Sequence, residues 1–235
     1  MRIVLTRRAA QSGELEEGLR RAGHTAAHMP LTQQVLPADT TELSRTVHEL
    51  TRGEFDWLVL TSPNTVRALA SCGWDGTVPV RTRVAVVGPG TARVLNEVSD
   101  ARNPWMPKQH SAAGILAELP APEPEGQLLL PQSAQARPQL YEGLEQRGWN
   151  ITQVTAYFTT ALPHPLVNLS PGDAVLVTSS SAAEVWATLE TPDVNILAIG
   201  EPTARTLRQL GRPADAVLPE PTAEGALKAL AELDR

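Results

Sequence analysis

The sequence predicts an α/β protein of two lobes, each built on a parallel sheet with helices on both faces. Three observations predict it. The chain repeats itself. Leu58–Ala70 (LVLTSPNTVRALA) returns as Val175–Ala187 (VLVTSSSAAEVWA), and Val84–Leu95 (VAVVGPGTARVL) as Ile196–Leu207 (ILAIGEPTARTL). Arg2–His24 returns as Gln127–Trp149, and Ser111–Leu119 (SAAGILAEL) as Thr222–Leu230 (TAEGALKAL). In the first three pairs an apolar run leads into a turn of Ser, Thr, Gly or Pro and then a helical pattern, in the same order in both halves. The strands are continuous apolar runs, as expected when both faces of a parallel sheet are covered. Ligands in such sheets bind beyond the carboxyl ends of the strands, where the hydroxyl-rich turns lie. A duplicated series of βα units suggests one site shared by two lobes.

The elements follow in order. Ile3–Leu5 is a short buried strand. Leu15 and Leu19 fall at helical spacing in Ser12–Ala22, and Gly23 ends that helix. His24–Leu31 reads as a second strand broken by Pro30, and Gln33–Asp39, which holds Pro37, as irregular. Leu43, Val47 and Leu50 share one face of a helix over Thr41–Arg52, closed by Gly53. Asp56–Leu60 is a buried strand, followed by the turn Thr61–Asn64 and a helix through Ala70. Arg83–Val87, Gly88-Pro89-Gly90 and a helix to Val98 repeat the pattern. A short element near Trp105–Met106 leads to a helix over Ala112–Leu119, and the proline-rich Pro120–Gly126 is a linker. The second half opens with a strand over Gln127–Leu130, then a helix over Gln139–Arg147 with Gly148 after it. Trp149–Thr160 is extended and Leu162–Pro171 proline-rich. Strands at Ala174–Val177, Ile196–Ile199 and Ala216–Leu218 are each followed by a helix.

Composition narrows the function. Hydrophobic residues make up 42% of the 235 and charged residues 20%, which is globular. Aromatics are only 4%, so Leu, Val and Ala build the core. The formal net charge is −6 with no Lys/Arg-rich run, which argues against nucleic-acid binding through phosphate contacts. The single cysteine, Cys72, allows neither an internal disulfide nor a Cys-rich zinc site, and reads as a small apolar residue near a helix end. The opening MRIVLTRR is too short and too charged for a signal peptide, and no stretch approaches the ~18 apolar residues of a membrane span. A soluble cytoplasmic protein is expected, with no membrane partner. An internally duplicated chain has less need to dimerise, so a monomer is expected.

The turns carry the chemistry. Thr61-Ser62-Pro63-Asn64 and Thr178-Ser179-Ser180-Ser181 each precede a helix. Their hydroxyls can cap it, or the turn can bind an anion with free helix N–H groups. Gly88-Pro89-Gly90-Thr91 and Gly200-Glu201-Pro202-Thr203 form a second matched pair, in which Thr91 and Thr203 either cap or bind. Neither is a dinucleotide fingerprint, since Arg93 stands at the last position of the pattern, and no Walker sequence exists. The histidines are His24, His28, His48, His110 and His164. His24 and His28 are four apart on a strand, about 13 Å, too far to share an ion. No metal or other cofactor is expected. Tyr157, one of two tyrosines, lies in an extended stretch where the halves should meet. Its plainer role is a buried phenol bonded to backbone.

Taken together, LTRR at Leu5, FDWLVLTSPN, VAVVGPGTA, LLLPQS with LYEGLEQRGW, VTAYFT, DAVLVTSSSAAEV, AIGEPTARTL and PTAEGAL resemble the uroporphyrinogen-III synthase family over nearly the whole chain. Sequential repeats alone suggest two contiguous lobes divided near Gly126. The resemblance implies instead that the first βα unit is exchanged. Residues 1–31 with 162–235 would form one flavodoxin-like lobe and 40–154 the other. A two-stranded β linker, 32–39 and 155–161, would join them and act as a hinge. The implied reaction dehydrates and cyclises hydroxymethylbilane with inversion of its last pyrrole ring. The implied substrate-binding residues are Thr61, Ser62, Asn64, Gly88, Thr91, Ser179, Ser180, Ser181, Gly200 and Thr203. Arg7 would add a charge-assisted contact. Tyr157 matches the family's linker tyrosine, whose phenol would assist departure of the hydroxyl. Transient contact with the enzyme that makes this labile substrate is conceivable. Arg8 departs from the proline common in the family's opening turn, and Ala101–Gln109 matches nothing in particular. Two rival readings remain: an inactive two-lobed module binding a tetrapyrrole or other polyanion, and a sugar-phosphate isomerase or transferase, for which no base or phosphate loop stands out.

Overall fold

The computed structural model describes residues 1–101, 103–124, 126–162 and 167–233. His164 and part of the proline-rich stretch after Leu162 lie outside them.

Ten strands and nine α-helices are formed among the described residues. The first half begins with β1 (Arg2–Leu5), α1 (Gly13–Arg21), β2 (Thr25–His28) and β3 (Thr32–Val35). It continues with α2 (Thr41–Thr51), β4 (Trp57–Leu60), α3 (Pro63–Ser71), β5 (Arg83–Val86), α4 (Pro89–Val98) and α5 (Ala112–Glu118). The second half opens with β6 (Gln127–Ser133), α6 (Gln139–Gln146) and the long β7 (Asn150–Ala161). Then come β8 (Ala174–Val177), α7 (Ser180–Ala187), β9 (Asn195–Ala198), α8 (Glu201–Gln209), β10 (Ala216–Val217) and α9 (Ala223–Leu233).

The chain does not divide near Gly126. One compact unit comprises Met1–Gln33 and Thr160–Arg235, the other Gln34–Thr159. The first unit's sheet has the order β10-β9-β8-β1-β2, with its pairs parallel. The second sheet runs β3-β7-β6-β4-β5, and the pairs among β7, β6, β4 and β5 are parallel. Trp105 extends the far side of β5 through a parallel bridge to Ala85. By the sequence repeats, β1 and β2 correspond to β6 and β7, β8 to β4, and β9 to β5. The two sheets therefore have one strand order, the flavodoxin order. In each, the opening β-α-β of one half is built onto the remainder of the other.

Burial on both faces explains the apolar runs. In the first unit Ile3 and Leu5 pack with Leu15, Leu19 and Leu230 on one side, while Val4 packs with Val177 and Trp186 on the other. In the second, Leu58 and Leu60 face Leu69 and Leu95, while Trp57 and Val59 face Ile115, Leu140 and Leu144. This is the period of two expected along a strand.

Three expectations are corrected. The stretch Gln33–Asp39, read as irregular, begins inside β3. The second strand ends at His28, short of Leu31. The strand expected over Gln127–Leu130 runs on through Pro131, Gln132 and Ser133 as β6, which pairs with β7 through Ser133 and carries a register shift at Gln132/Ser133. Proline is tolerated there because pairing with β4 has ended at Leu129, so its missing N–H breaks no ladder on that side.

Candidate functional site

In each unit the parallel strands end on one edge, and the candidate residues gather there. In the second unit β4 delivers Thr61 and Ser62. Ser62 is extended (φ −157°, ψ 144°) and caps α3, with Pro63 at the first helical position, where a missing N–H is harmless. The Ser62 hydroxyl accepts the Asn64 N–H at 3.1 Å and the Tyr157 O–H at 3.4 Å. A hydroxyl accepts twice and donates once, so the Ser62 proton remains free to donate. Tyr157 is 8% exposed and belongs to the same core as Leu60 and Val66. The plainer reading, a phenol bonded to backbone, gives way to a long side-chain contact. Two candidates far apart in sequence meet here.

β5 leads to Gly88, the N-cap of α4. A β-carbon there would lie 3.3 Å from His110 Cβ. Thr91 is 2% exposed and its amide donates to the Gly88 carbonyl at 3.1 Å. In the first unit Gly200 caps α8 the same way, and Thr203, 3% exposed, bonds back to it at 3.1 Å. Neither threonine caps through its side chain, which corrects the capping alternative. Around Gly200 a β-carbon would meet nothing closer than 3.9 Å, so that backbone is open to a ligand.

β8 leads through Thr178 to Ser179, the extended N-cap of α7, whose hydroxyl accepts the Ala182 N–H at 3.0 Å. The Ser179 and Ser181 hydroxyls lie 3.0 Å apart, and Ser180 donates to the Pro202 carbonyl at 3.3 Å, tying the starts of α7 and α8. Among the described residues the amides of Ser180, Ser181 and Glu201 find no protein acceptor. Free first-turn amides of this kind favour anions.

Arg7 follows β1. One guanidinium nitrogen donates to the Gln11 carbonyl at 3.2 Å, while Nε is buried without a partner. Burial pushes the guanidinium down from its ordinary value. A cation held this way is stabilised by an arriving anion.

Sequence reasoning missed what holds these groups. Thr6, buried between β1 and β8, accepts the Thr178 N–H at 3.0 Å and bonds the Leu176 carbonyl at 3.2 Å. His28 places Nε2 2.9 Å from Glu16 and Nδ1 3.2 Å from the Arg7 carbonyl, bracing the Arg7 turn. Neither could be read from spacing, since both join segments distant in sequence. Gln132 was also missed. It is 4% exposed, accepts from Gln153 at 3.1 Å, and lines a cavity of about 360 Å³ with Thr61, Arg137, Gln139, Ala112 and Leu140. Cys72 ends α3, and burial raises its thiol, which disfavours a nucleophilic thiolate. Among the described residues no group of three or more His, Cys, Asp or Glu could hold a metal ion. No helix among them is long and apolar enough to cross a membrane.

Known proteins match this arrangement. The family described as "Uroporphyrinogen-III synthase HemD" matches residues 13–228. The chain is 30% identical over 224 residues to the chloroplastic uroporphyrinogen-III synthase of Oryza sativa subsp. japonica, covering 89% of this chain and 72% of that protein. It is 29% identical to the uroporphyrinogen-III synthase of Synechococcus elongatus, over 66% of this chain and 59% of that one. Among solved structures, uroporphyrinogen-III synthetase from Helicobacter pylori superposes with a TM-score of 0.65 at 18% identity, covering all of both chains. A mutant uroporphyrinogen III synthase from Thermus thermophilus gives 0.61 at 19%, covering 99% of each.

Proposed function

The chain belongs to the uroporphyrinogen-III synthase family, and from that premise we propose how its residues divide the work of closing hydroxymethylbilane, a linear tetrapyrrole, into uroporphyrinogen III. It is an enzyme, a cyclising lyase of tetrapyrrole biosynthesis. The observation that carries the residue assignment is the Tyr157–Ser62 contact, which puts a buried phenol beside a hydroxyl turn.

Departure of the substrate's hydroxyl needs a proton, because hydroxide is a poor leaving group. Tyr157 turns its O–H from Ser62 to that oxygen and donates it as water leaves. The 3.4 Å contact is long, so little is lost in the exchange. The conjugated azafulvene left behind is attacked by the last pyrrole through its already substituted carbon, giving a spiro intermediate. Fragmentation, reclosure and loss of a carbon-bound proton complete the inverted ring. Without protein the same precursor closes uninverted, so orientation and exclusion of water are the main demands on the enzyme.

The substrate carries many carboxylates and the protein is acidic. Helix-start amides and hydroxyls reconcile the two, because they attract anions without a basic patch. In the first unit we assign this role to Ser179, Ser180, Ser181, Gly200 and Thr203, with Arg7 as the charged contact. In the second we assign it to Thr61, Ser62, Asn64, Gly88 and Thr91. The buried Thr91 and Thr203 contribute by shaping the turn. A cytoplasmic monomer acting on a small molecule completes the reading.

The test is product analysis. Hydroxymethylbilane is generated in place with the pure protein, the product is oxidised, and porphyrin isomers I and III are separated. Isomer III should dominate with protein and be absent without it. Isomer I alone, from folded protein, would refute the reading.

A further inference from the structure

We propose that the cavity beside Thr61 is a carboxylate subsite of the same reaction, with Arg137 as its charge partner and Gln132 as its amide donor. The proposal rests on the synthase reading and adds two residues to it.

Two independent features point to a ligand. Among the described residues nothing engages the exposed Arg137 guanidinium, which lines the cavity. Gln132 is 4% exposed overall and its carbonyl oxygen accepts from Gln153, while its amide nitrogen has no partner among the described residues and is not sealed from solvent. A ligand oxygen entering the cavity would give that donor a partner. The register shift at Gln132/Ser133 is where a strand re-aims a side chain.

The chemistry selects the ligand. A guanidinium fork grips a planar carboxylate with two parallel bonds, and an amide N–H adds a third. The lining offers donors and apolar wall from Ala112 and Leu140, and no carboxylate. At about 360 Å³ the cavity sits near the low end of ligand pockets, ~300 Å³ and upward, room for one pyrrole edge with its acid arm rather than a whole tetrapyrrole. Thr61 joins it to Ser62, and through Ser62 to Tyr157.

The experiment compares wild type with Arg137→Gln, Arg137→Lys and Gln132→Glu, using hydroxymethylbilane generated in place. Arg137→Gln should raise KM about tenfold or more while changing kcat less than about twofold, as expected when a charge-assisted contact made equally in ground and transition states is lost. Arg137→Lys should recover part of that, and Gln132→Glu should weaken binding by repulsion. Thermal melts should not change for Arg137→Gln, since the side chain is exposed. An active wild type with KM unchanged in Arg137→Gln would overturn the subsite alone. A wild type making only isomer I would overturn the synthase reading and the subsite with it.

Discussion

Tyr157 donates to Ser62, and that contact separates binding from chemistry. If the phenol supplies the leaving-group proton, Tyr157→Phe should lower kcat about 10²-fold while KM stays within about threefold. Steady-state kinetics with hydroxymethylbilane check this, and equal loss in both parameters would count against the role. Ser62→Ala removes a cap as well, so it should also lower stability, by about 1 kcal/mol. Tyr157 was legible in the sequence because aromatics are scarce and it stands in an apolar extended stretch. Its partner was not, because contacts across 95 positions leave no local periodicity. Arg7 was legible as a charge after a strand, but the His28 and Glu16 brace behind it was not.

The repeats extend to the geometry of single turns, as α5 and α9 show. Ser111 accepts the Gly114 N–H at 3.1 Å and Thr222 accepts the Gly225 N–H at 3.1 Å. Just before each, the Ser111 amide donates to the Gln109 carbonyl at 2.7 Å and the Thr222 amide to the Glu220 carbonyl at 2.8 Å. Those carbonyl oxygens would lie 1.9 and 2.1 Å from a β-carbon on Gly114 and Gly225. Helix propensity alone favours Ala over Gly by ~1 kcal/mol, whereas forcing atoms into a packed site costs about 1–3 kcal/mol. Backbone overlap at this distance puts the cost ahead. Gly114→Ala and Gly225→Ala should each lower stability in urea denaturation, and a gain in either would refute the account. At this scale most elements were legible, because apolar runs and glycine stops are local signals. Pro131 misled because its tolerance depends on where a neighbouring strand stops pairing.

Across the whole molecule, each unit contains strands from both halves of the sequence. β1 is an interior strand between β8 and β2, so the carboxy-terminal stretch lacks a sheet neighbour without it. Residues 34–159 expressed alone should melt cooperatively, and residues 160–235 alone should not, by circular dichroism with urea. The duplication was legible in the sequence, but the partition was not legible from the repeats alone. Two copies of one βα unit fit either sheet equally well by pattern, and resemblance to a family was needed to choose between them.

That exchange also dictates an order of events during synthesis. Gln34–Thr159 is one uninterrupted stretch, and all of it leaves the ribosome before β8 does. The inner unit can therefore fold while Ile3, Val4 and Leu5 still await the strand beside which they will be buried. Through that interval the nascent chain trails an apolar, half-paired ribbon, the kind of surface that chaperones cover.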